Sequence, residues 1–379
     1  MPASFHSALI FILILAWLLP LVTIWVRYDS LRHAKIMWIA VLLWPLMLVD
    51  EAIKSFDSWS SLVFISGAFQ FIPALLALLM FYALHSLLLK APFKQQALWL
   101  FPVALMAILQ VPFLILPAEF KTMMLNSPPI GDPLGNWSVY LLTIGIGFMM
   151  LVAGLRSVDL LQRYQFFLSD LVVDVHLYKL PMLMGWFAIQ VCLAFGMIIF
   201  TVLIALGLLP FEGWKSTFNL AVAAYYLGSL MLMLQRRRYA TSSVNYAQLI
   251  APKFNQTLLQ DTLLKAESAV IQHKAYKKIG LRIDQLAKVA DVDPTALAVA
   301  TRTILNRNFR AFIYHYRLEY AKKVLMQTDA KVSAVARRLG FNSEKFLSNM
   351  FIKYIQQMSN ESLIKEERDA DPFSSVIRR

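Results

Sequence analysis

The chain has 379 residues, of which 59% are hydrophobic and 16% are charged. Soluble domains are about half apolar and about a quarter charged, so this composition argues against an ordinary water-soluble enzyme. Residues 1–235 hold 11 Lys and Arg against 10 Asp and Glu, whereas residues 236–379 hold 25 against 13, so +12 of the net charge of +13 lies in the second part. The sequence therefore predicts an apolar region followed by a basic one. The lone cysteine, Cys192, excludes an intrachain disulfide and a cysteine-rich zinc site.

The apolar region contains seven stretches that approach the length of a membrane-spanning helix, which needs about 20 mostly apolar residues. We therefore predict that residues 1–238 form a seven-helix transmembrane bundle. The predicted spans are 6–26, 36–49, 61–89, 97–116, 137–155, 182–209 and 217–235.

The loops between these spans differ in charge, which predicts their orientation. One set of alternate loops holds eleven Lys and Arg: Arg27, Arg32, Lys35, Lys90, Lys94, Arg156, Arg163, Lys179, Arg236, Arg237 and Arg238. The other set holds only Lys54, Lys121 and Lys215. Because Lys and Arg accumulate on the cytoplasmic side, the N-terminus is expected outside and the basic region in the cytoplasm.

A few features inside the predicted spans bear on sensing. Proton relays and coupled transporters usually need ionisable groups near the middle of the membrane, and such groups are scarce here. Four uncharged polar residues are candidates for a shared sensor cavity, with interhelical hydrogen bonds as the simpler alternative: Gln70, Gln110, Gln190 and Asn219. Gly185, Gly196 and Gly207 recur every 11 residues, which predicts a stripe for close helix packing in the sixth span.

The loop from Arg156 to Pro181 is longer than its neighbours and alternates apolar and polar residues. This pattern favours a helix lying along the membrane surface. Asp170, Asp174 and His176 leave a metal site as the less favoured alternative, and no metal or other cofactor is expected. The same loop is where the membrane region could touch the basic region.

In the basic region, residues 239–280 are predicted to form a linker and a connecting or dimerising helix at 257–278, ended by Gly280. Beyond this point the pattern predicts a short helix, a turn and a second helix, with Asp293 as N-cap and Pro294 in the first turn. A long helix at about 309–327 follows, and then a second helix-turn-helix unit with its break at 340–342. We therefore predict an all-α chain, with a DNA-binding domain at 281–365 and a tail at 366–379.

Residues from about 281 to 363 resemble the AraC/XylS family of bacterial transcription regulators. The matching motifs are Asn308-Phe309-Arg310-Ala311-Phe312-Ile313, then Tyr316-Arg317-Leu318-Glu319-Tyr320-Ala321, and Val335-Ala336 to Gly340-Phe341 followed by Phe346 and Phe351. The resemblance implies two helix-turn-helix units joined by a long helix, and a bacterial protein. Together with the predicted spans, it places the chain in a bacterial cytoplasmic membrane. The chain departs from the family pattern at Val299, Thr301, Gln356 and Ser359.

A recognition helix lies in the major groove, where short polar or basic side chains read bases and neighbouring cations contact phosphates. In the second unit the base-contacting candidates, at the positions that resemble those of the family, are Glu344, Lys345, Ser348 and Asn349. The first unit offers Thr295, Ala298 and Val299, which make few hydrogen bonds, so we expect the second unit to specify the sequence. The phosphate candidates are Arg302, Arg307, Arg337, Arg338 and Lys353.

These features predict a one-component transcriptional regulator in the membrane, in which the seven spans sense a small molecule, a lipid or a protein and the tethered domain binds promoter DNA. Two protomers would meet as a homodimer on adjacent half-sites. The main alternative is a transporter or scaffold whose helical accessory domain does not bind DNA. An integral-membrane enzyme is a third class, but no catalytic constellation stands out in the sequence.

Overall fold

The computed structural model describes residues 3–31, 33–90, 96–235, 239–241, 243–341 and 343–352, with the backbone alone for 3–5, 57, 58, 60, 96 and 97. The regular secondary structure of these residues is helical. They also contain an isolated antiparallel β-bridge between Val172 and Arg282. The predicted all-α class is therefore confirmed. The chain divides into two compact units. Unit 1 holds Met1–Phe166 and Leu180–Thr241, and unit 2 holds Phe167–Lys179 and the chain from Ser242 onwards.

Unit 1 consists of apolar helices with a shared core. Helices α8 (Trp137–Phe166) and α10 (Pro181–Ala205) pack against each other, and α4 (Ile72–Leu88) packs on α8. Trp44 is fully buried and donates its indole N–H to the carbonyl of Ala223 at 2.9 Å, which fixes the second helical segment to α11. The helices are α1 (Ala3–Arg27), α2 (Ala34–Leu43), α3 (Val49–Ser55), α4 (Ile72–Leu88), α5 (Gln96–Leu109), α6 (Val111–Leu114), α7 (Ala118–Asn126), α8 (Trp137–Phe166), α10 (Pro181–Ala205) and α11 (Trp214–Leu234).

Each of the seven predicted spans coincides with a helical segment, but their lengths differ. Within the described part of the chain, five segments are long and apolar enough to cross a membrane: His6–Ser30, Ala34–Ser55, Trp137–Phe166, Pro181–Ala205 and Trp214–Leu234. A sixth would be Leu98–Leu114 with Ala118–Asn126, a pair bent by 113°. The predicted third span contains a helix of only 17 residues, Ile72–Leu88. Because Ser66 to Phe71 form turns before it, this helix starts later than the hydropathy alone suggests.

Two expectations about unit 1 are corrected. Gly185 and Gly196 have open space where a side chain would begin, and Gly207 ends the helix with a φ of +72°, so the glycine stripe does not mark close packing. Lys215, assigned to a loop, lies in the first turn of α11. Arg32, Lys94 and Arg236 to Arg238, used for the orientation, lie outside the described residues.

Unit 2 is built from helices of 4 to 19 residues. They are α9 (Leu168–Leu171), α12 (Tyr246–Ile250), α13 (Gln256–Gln272), α14 (Ile283–Ala290), α15 (Pro294–Thr303), α16 (Phe309–Gln327), α17 (Val332–Arg338) and α18 at 344–352. The long helix α16 runs over the residues predicted for it. Its N-cap is Asn308, whose side chain accepts the N–H of Ala311 at 2.9 Å.

The boundaries of unit 2 differ from the predicted domain limits in two ways. Helix α13, predicted as a connecting or dimerising helix, packs on α14 and α15, with Leu259, Leu263 and Val270 buried, and is part of the domain. The segment Phe167–Lys179, which lies between two predicted spans, also belongs to unit 2. We call this segment the docked loop.

Candidate nucleic-acid interface

The first helix-turn-helix consists of α14 and α15 and is closed by a three-residue turn. Asp291 takes the left-handed conformation with a φ of 53° and ends α14. The side chain of Asp293 accepts the N–H of Ala296 at 2.8 Å, and Pro294 occupies the first turn of α15. The sequence-based prediction of this cap and turn is confirmed: the Asp293 carboxylate accepts one of the free N–H groups at the helix start, and Pro294 has no N–H that needs a partner.

The second helix-turn-helix consists of α17 and α18. Its turn needs a glycine, because Gly340 has a φ of +75° and a Cβ there would lie 3.1 Å from Ile279. Ser343 caps α18 by accepting the N–H of Phe346 at 3.1 Å. The rings of Phe341 and Phe346 lie 6.1 Å apart, and both contact Tyr314 of α16, which anchors the unit to the long helix.

The second recognition helix presents the predicted residues to solvent. Leu347 is fully buried, whereas the base-contacting candidates Glu344, Lys345, Ser348 and Asn349 are all exposed. Their spacing of i, i+1, i+4 and i+5 places them together on the outer face of α18. Such a surface, with one carboxylate, one cation, one hydroxyl and one amide, is suited to hydrogen bonding with base edges in a major groove.

The first recognition helix is covered on the side where its base-contacting candidates lie. Thr295, Ala298 and Val299 are exposed by 4%, 0% and 1%. Helix α12 packs against α15, and the N–H of Asn245 donates to the hydroxyl of Thr295 at 3.3 Å. In this conformation these three side chains are not available to a base.

The phosphate candidates differ in how accessible they are to DNA. Arg337 and Arg338 are exposed at the end of α17, and Arg307 is half-buried. Arg302 is engaged by the docked loop, as described below. Lys353 lies outside the described residues.

The docked loop is held by a completely buried ion pair between Asp174 and Arg317, both 0% exposed. The Arg317 guanidinium donates from Nη1 and Nη2 to the two oxygens of Asp174 at 2.7 and 3.1 Å. It also donates to the carbonyls of Tyr276 and Lys278 at 2.8 and 2.9 Å, and Asp174 accepts the N–H of Gly280 at 2.6 Å. Every charged group in this cluster is therefore hydrogen-bonded, as a buried ion pair requires.

A second pair holds the other end of the docked loop. Nε and Nη2 of Arg302 donate to the two oxygens of Asp170 at 2.8 and 2.6 Å, and the guanidinium lies 5.2 Å from the ring centre of Phe167. Asp170 is buried, whereas the Arg302 side chain is 32% exposed. Burial raises the pKa of Asp170, and the Arg302 guanidinium opposes that rise without cancelling it. Because solvent reaches the Arg302 side chain but not that of Arg317, the Asp170 pair is easier to release than the Asp174 pair.

Between these pairs the docked loop is extended and pairs with the start of the first helix-turn-helix. The N–H of Val173 donates to the carbonyl of Leu281 at 3.1 Å, and the Tyr178 hydroxyl donates to the carbonyl of Gly280 at 3.0 Å. The expected surface helix is therefore wrong, because Val172 and Val173 are extended and buried against the domain. The metal alternative also finds no support, since the described residues contain no group of three or more potential ligands.

The roles of Asp170, Asp174 and Arg317 were missed from the sequence. One signal was present: Arg317 lies four residues from both Ile313 and Ala321, so it sits on the buried stripe of a predicted helix, where a charge needs a partner. The partner, 143 residues earlier, could not be assigned from periodicity.

The four sensor candidates of unit 1 are hydrogen-bonded. Gln70 and Asn219 donate to Asp50 and Glu51 at 3.2 and 3.1 Å, and both line a cavity of about 30 Å³, which is room for a water or two. Gln110 donates to the carbonyl of Ala68 at 2.9 Å. The Gln190 side chain donates to the carbonyl of Met150 at 2.8 Å and accepts the hydroxyl of Tyr225 at 2.9 Å.

The fold and the exposed face of α18 define unit 2 as a helix-turn-helix domain. Residues 286–360, about a fifth of the chain, match the family model described as a helix-turn-helix domain, which is of the AraC type. The chain therefore carries an AraC-type DNA-binding domain, and the resemblance found in the sequence is confirmed. No curated protein and no solved structure matches the chain significantly.

Proposed function

We propose that the protein is a membrane-anchored transcriptional regulator of the AraC type whose DNA binding is controlled from the membrane region through the docked loop. One observation carries the proposal. A segment joined directly to two apolar helices, α8 and α10, is held inside the DNA-binding domain by the two arginine–carboxylate pairs. A loop that only connected two spans would have no need of buried charges.

Anchoring in a bacterial cytoplasmic membrane is supported by the surface of unit 1. Large apolar side chains there are exposed, among them Phe11 at 63%, Trp25 at 75% and Phe101 at 68%. Isolated exposed apolar residues are common, but whole helices of them fit contact with lipid. Together with the loop charges, they support an N-terminus outside and unit 2 in the cytoplasm.

We infer that release of the docked loop is the controlled step. Arg302 commits Nε and Nη2 to Asp170 while the loop is docked, which leaves it fewer donors for a phosphate. Thr295 and Val299 of α15 are buried in the same conformation, where α12 packs on that helix. Asp174 is also connected to the second unit, because Arg317 lies 5.6 Å from the Tyr314 ring centre, and that ring contacts α18. A signal that moved α8 or α10 would therefore alter both helix-turn-helix units. Homodimers on adjacent half-sites are proposed as the DNA-bound form.

The DNA-binding part of the proposal is tested with the purified full-length chain and a double variant, Lys345→Ala with Asn349→Ala. Sequences are first selected from a randomised DNA pool by the unaltered protein. Each mismatched contact costs about 1–3 kcal/mol, so the double variant is expected to bind the selected DNA at least tenfold more weakly. The matched control, Lys323→Ala with Gln327→Ala, removes an exposed lysine and amide at the same spacing on α16.

The salt dependence separates this function from the transporter or scaffold alternative. Because phosphate contacts release counterions, the logarithm of the affinity should fall linearly with the logarithm of the salt concentration. Failure to enrich any sequence, or equal loss of affinity in both double variants, would favour a domain that does not read DNA.

A further inference from the structure

An apolar cavity of about 490 Å³ lies in unit 1 between α4, α5 and α8. Its volume is within the range of about 300–1,000 Å³ that is usual for small-molecule sites. Its lining is aliphatic and aromatic except for one cation, Arg156. Phe81 and Trp99 stack with ring centres 5.2 Å apart and form one wall.

The cavity is a groove that follows one face of α8. Gly145, Met149, Val152 and Arg156 line it, and their spacing places them in one row along the helix. The stretch of helix from Gly145 to Arg156 rises about 16 Å. Leu98 and Phe148, which also line the groove, are 66% and 61% exposed, so it opens on the apolar outside of the unit.

Arg156 lies at the end of this groove without a carboxylate partner among the described residues. The nearest acid along the helix, Asp159, is paired with Arg163 at 3.0 Å. From Trp137 to Arg156, α8 rises about 28 Å, close to the hydrocarbon thickness of about 30 Å. In the proposed orientation Arg156 therefore lies at the cytoplasmic headgroup level.

We propose that this groove binds one long-chain fatty acid, with its chain along α8 and its carboxylate on Arg156. The volume suits a single acyl chain, and one cation matches one carboxylate, which favours a fatty acid over a two-chain phospholipid. The inference rests on the proposed function, because α8 continues directly into the docked loop. A fatty acid is thus the class of signal that would bias that loop.

The test measures binding of radiolabelled oleate to the full-length protein in nanodiscs, against empty nanodiscs. We expect saturable binding of about one oleate per chain that methyl oleate, which has no charge, does not displace. Loss of the charge-assisted hydrogen bond in Arg156→Gln should weaken binding about tenfold to a hundredfold. Val152→Trp should fill the groove and abolish binding, whereas the matched control Arg163→Gln, on the same helix, should bind normally.

Several results would overturn the site: binding no greater than to empty nanodiscs, an equal loss in Arg156→Gln and Arg163→Gln, or a co-purified two-chain phospholipid that Val152→Trp releases. Circular dichroism and DNA binding are measured on the same preparations to verify folding. A preparation that binds DNA but not oleate refutes only this site. One that binds oleate but never DNA refutes the proposed function.

Discussion

Replacement of Asp174 by asparagine tests whether the docked loop is an integral part of the DNA-binding domain. The asparagine keeps one acceptor oxygen for Arg317 and replaces the second carboxylate oxygen by an NH₂ group. That second oxygen accepts hydrogen bonds from Nη2 of Arg317 and the N–H of Gly280, so in the variant these two donors would face another donor. Both partners of the ion pair are 0% exposed, so water cannot solvate the guanidinium. Leaving one member of a buried pair uncompensated costs about 3–5 kcal/mol, against a typical domain stability of about 5–15 kcal/mol.

The assay is hydrogen exchange of the backbone amides of α16 in the purified full-length protein. At about 1.4 kcal/mol per tenfold change, their global exchange should accelerate by about two to four powers of ten. Asp159→Asn, which breaks the exposed pair with Arg163, should change exchange by less than about threefold. The double variant Asp174→Leu with Arg317→Met should recover much of the protection, because it removes both charges. Unchanged exchange in Asp174→Asn would refute the docking of this loop.

Further predictions concern release of the loop, acid stability and pairing. Asp170→Lys should place two cations together, release Arg302 for contact with a phosphate and raise DNA affinity about 5- to 30-fold, as about 1–2 kcal/mol implies. Asp159→Lys should leave the affinity unchanged, and equal affinities of the two variants in a filter-binding assay would contradict this. Burial lowers the pKa of His33 to about 4, so the folded state binds this proton less well than the unfolded chain does. Stability should therefore fall as the pH drops from about 6.5 to 4, by about 2 kcal/mol at pH 5, and thermal unfolding of His33→Gln should lack that loss. Leu264 and Ile271 lie seven residues apart on α13 and are 64% and 59% exposed, so replacing both by serine should reduce dimers on DNA in analytical ultracentrifugation without unfolding the domain.

Local features of the DNA-binding domain followed from the sequence because they depend on near neighbours. The Asp293 cap, the proline after it and the limits of α16 are set by residues within one or two helical turns. The exposed face of α18 follows from helix periodicity, which turns Lys345 and Asn349 away from the buried Leu347.

The features that escaped prediction depend on long-range contacts. The alternation of apolar and polar residues around Asp170 and Asp174 fits a surface helix as well as an extended segment. The extended form is stabilised by ion pairs with Arg302 and Arg317, which lie 132 and 143 residues away in the sequence. The packing of α13 on α14 and α15 was not predicted either, because an apolar helix face does not by itself identify the helix that it contacts. Because α13 packs on α14 and α15, a proline at Leu264 would disrupt the domain itself.

Promoter binding by the membrane-anchored protein is tested most directly by chromatin crosslinking and sequencing of the intact, tagged protein, with the Lys345→Ala, Asn349→Ala variant beside it. Discrete promoter peaks should disappear in this variant and persist in the Lys323→Ala, Gln327→Ala control. Peaks absent under varied growth conditions, or unchanged in the first variant, would contradict a membrane-anchored regulator that reads DNA through its second helix-turn-helix unit.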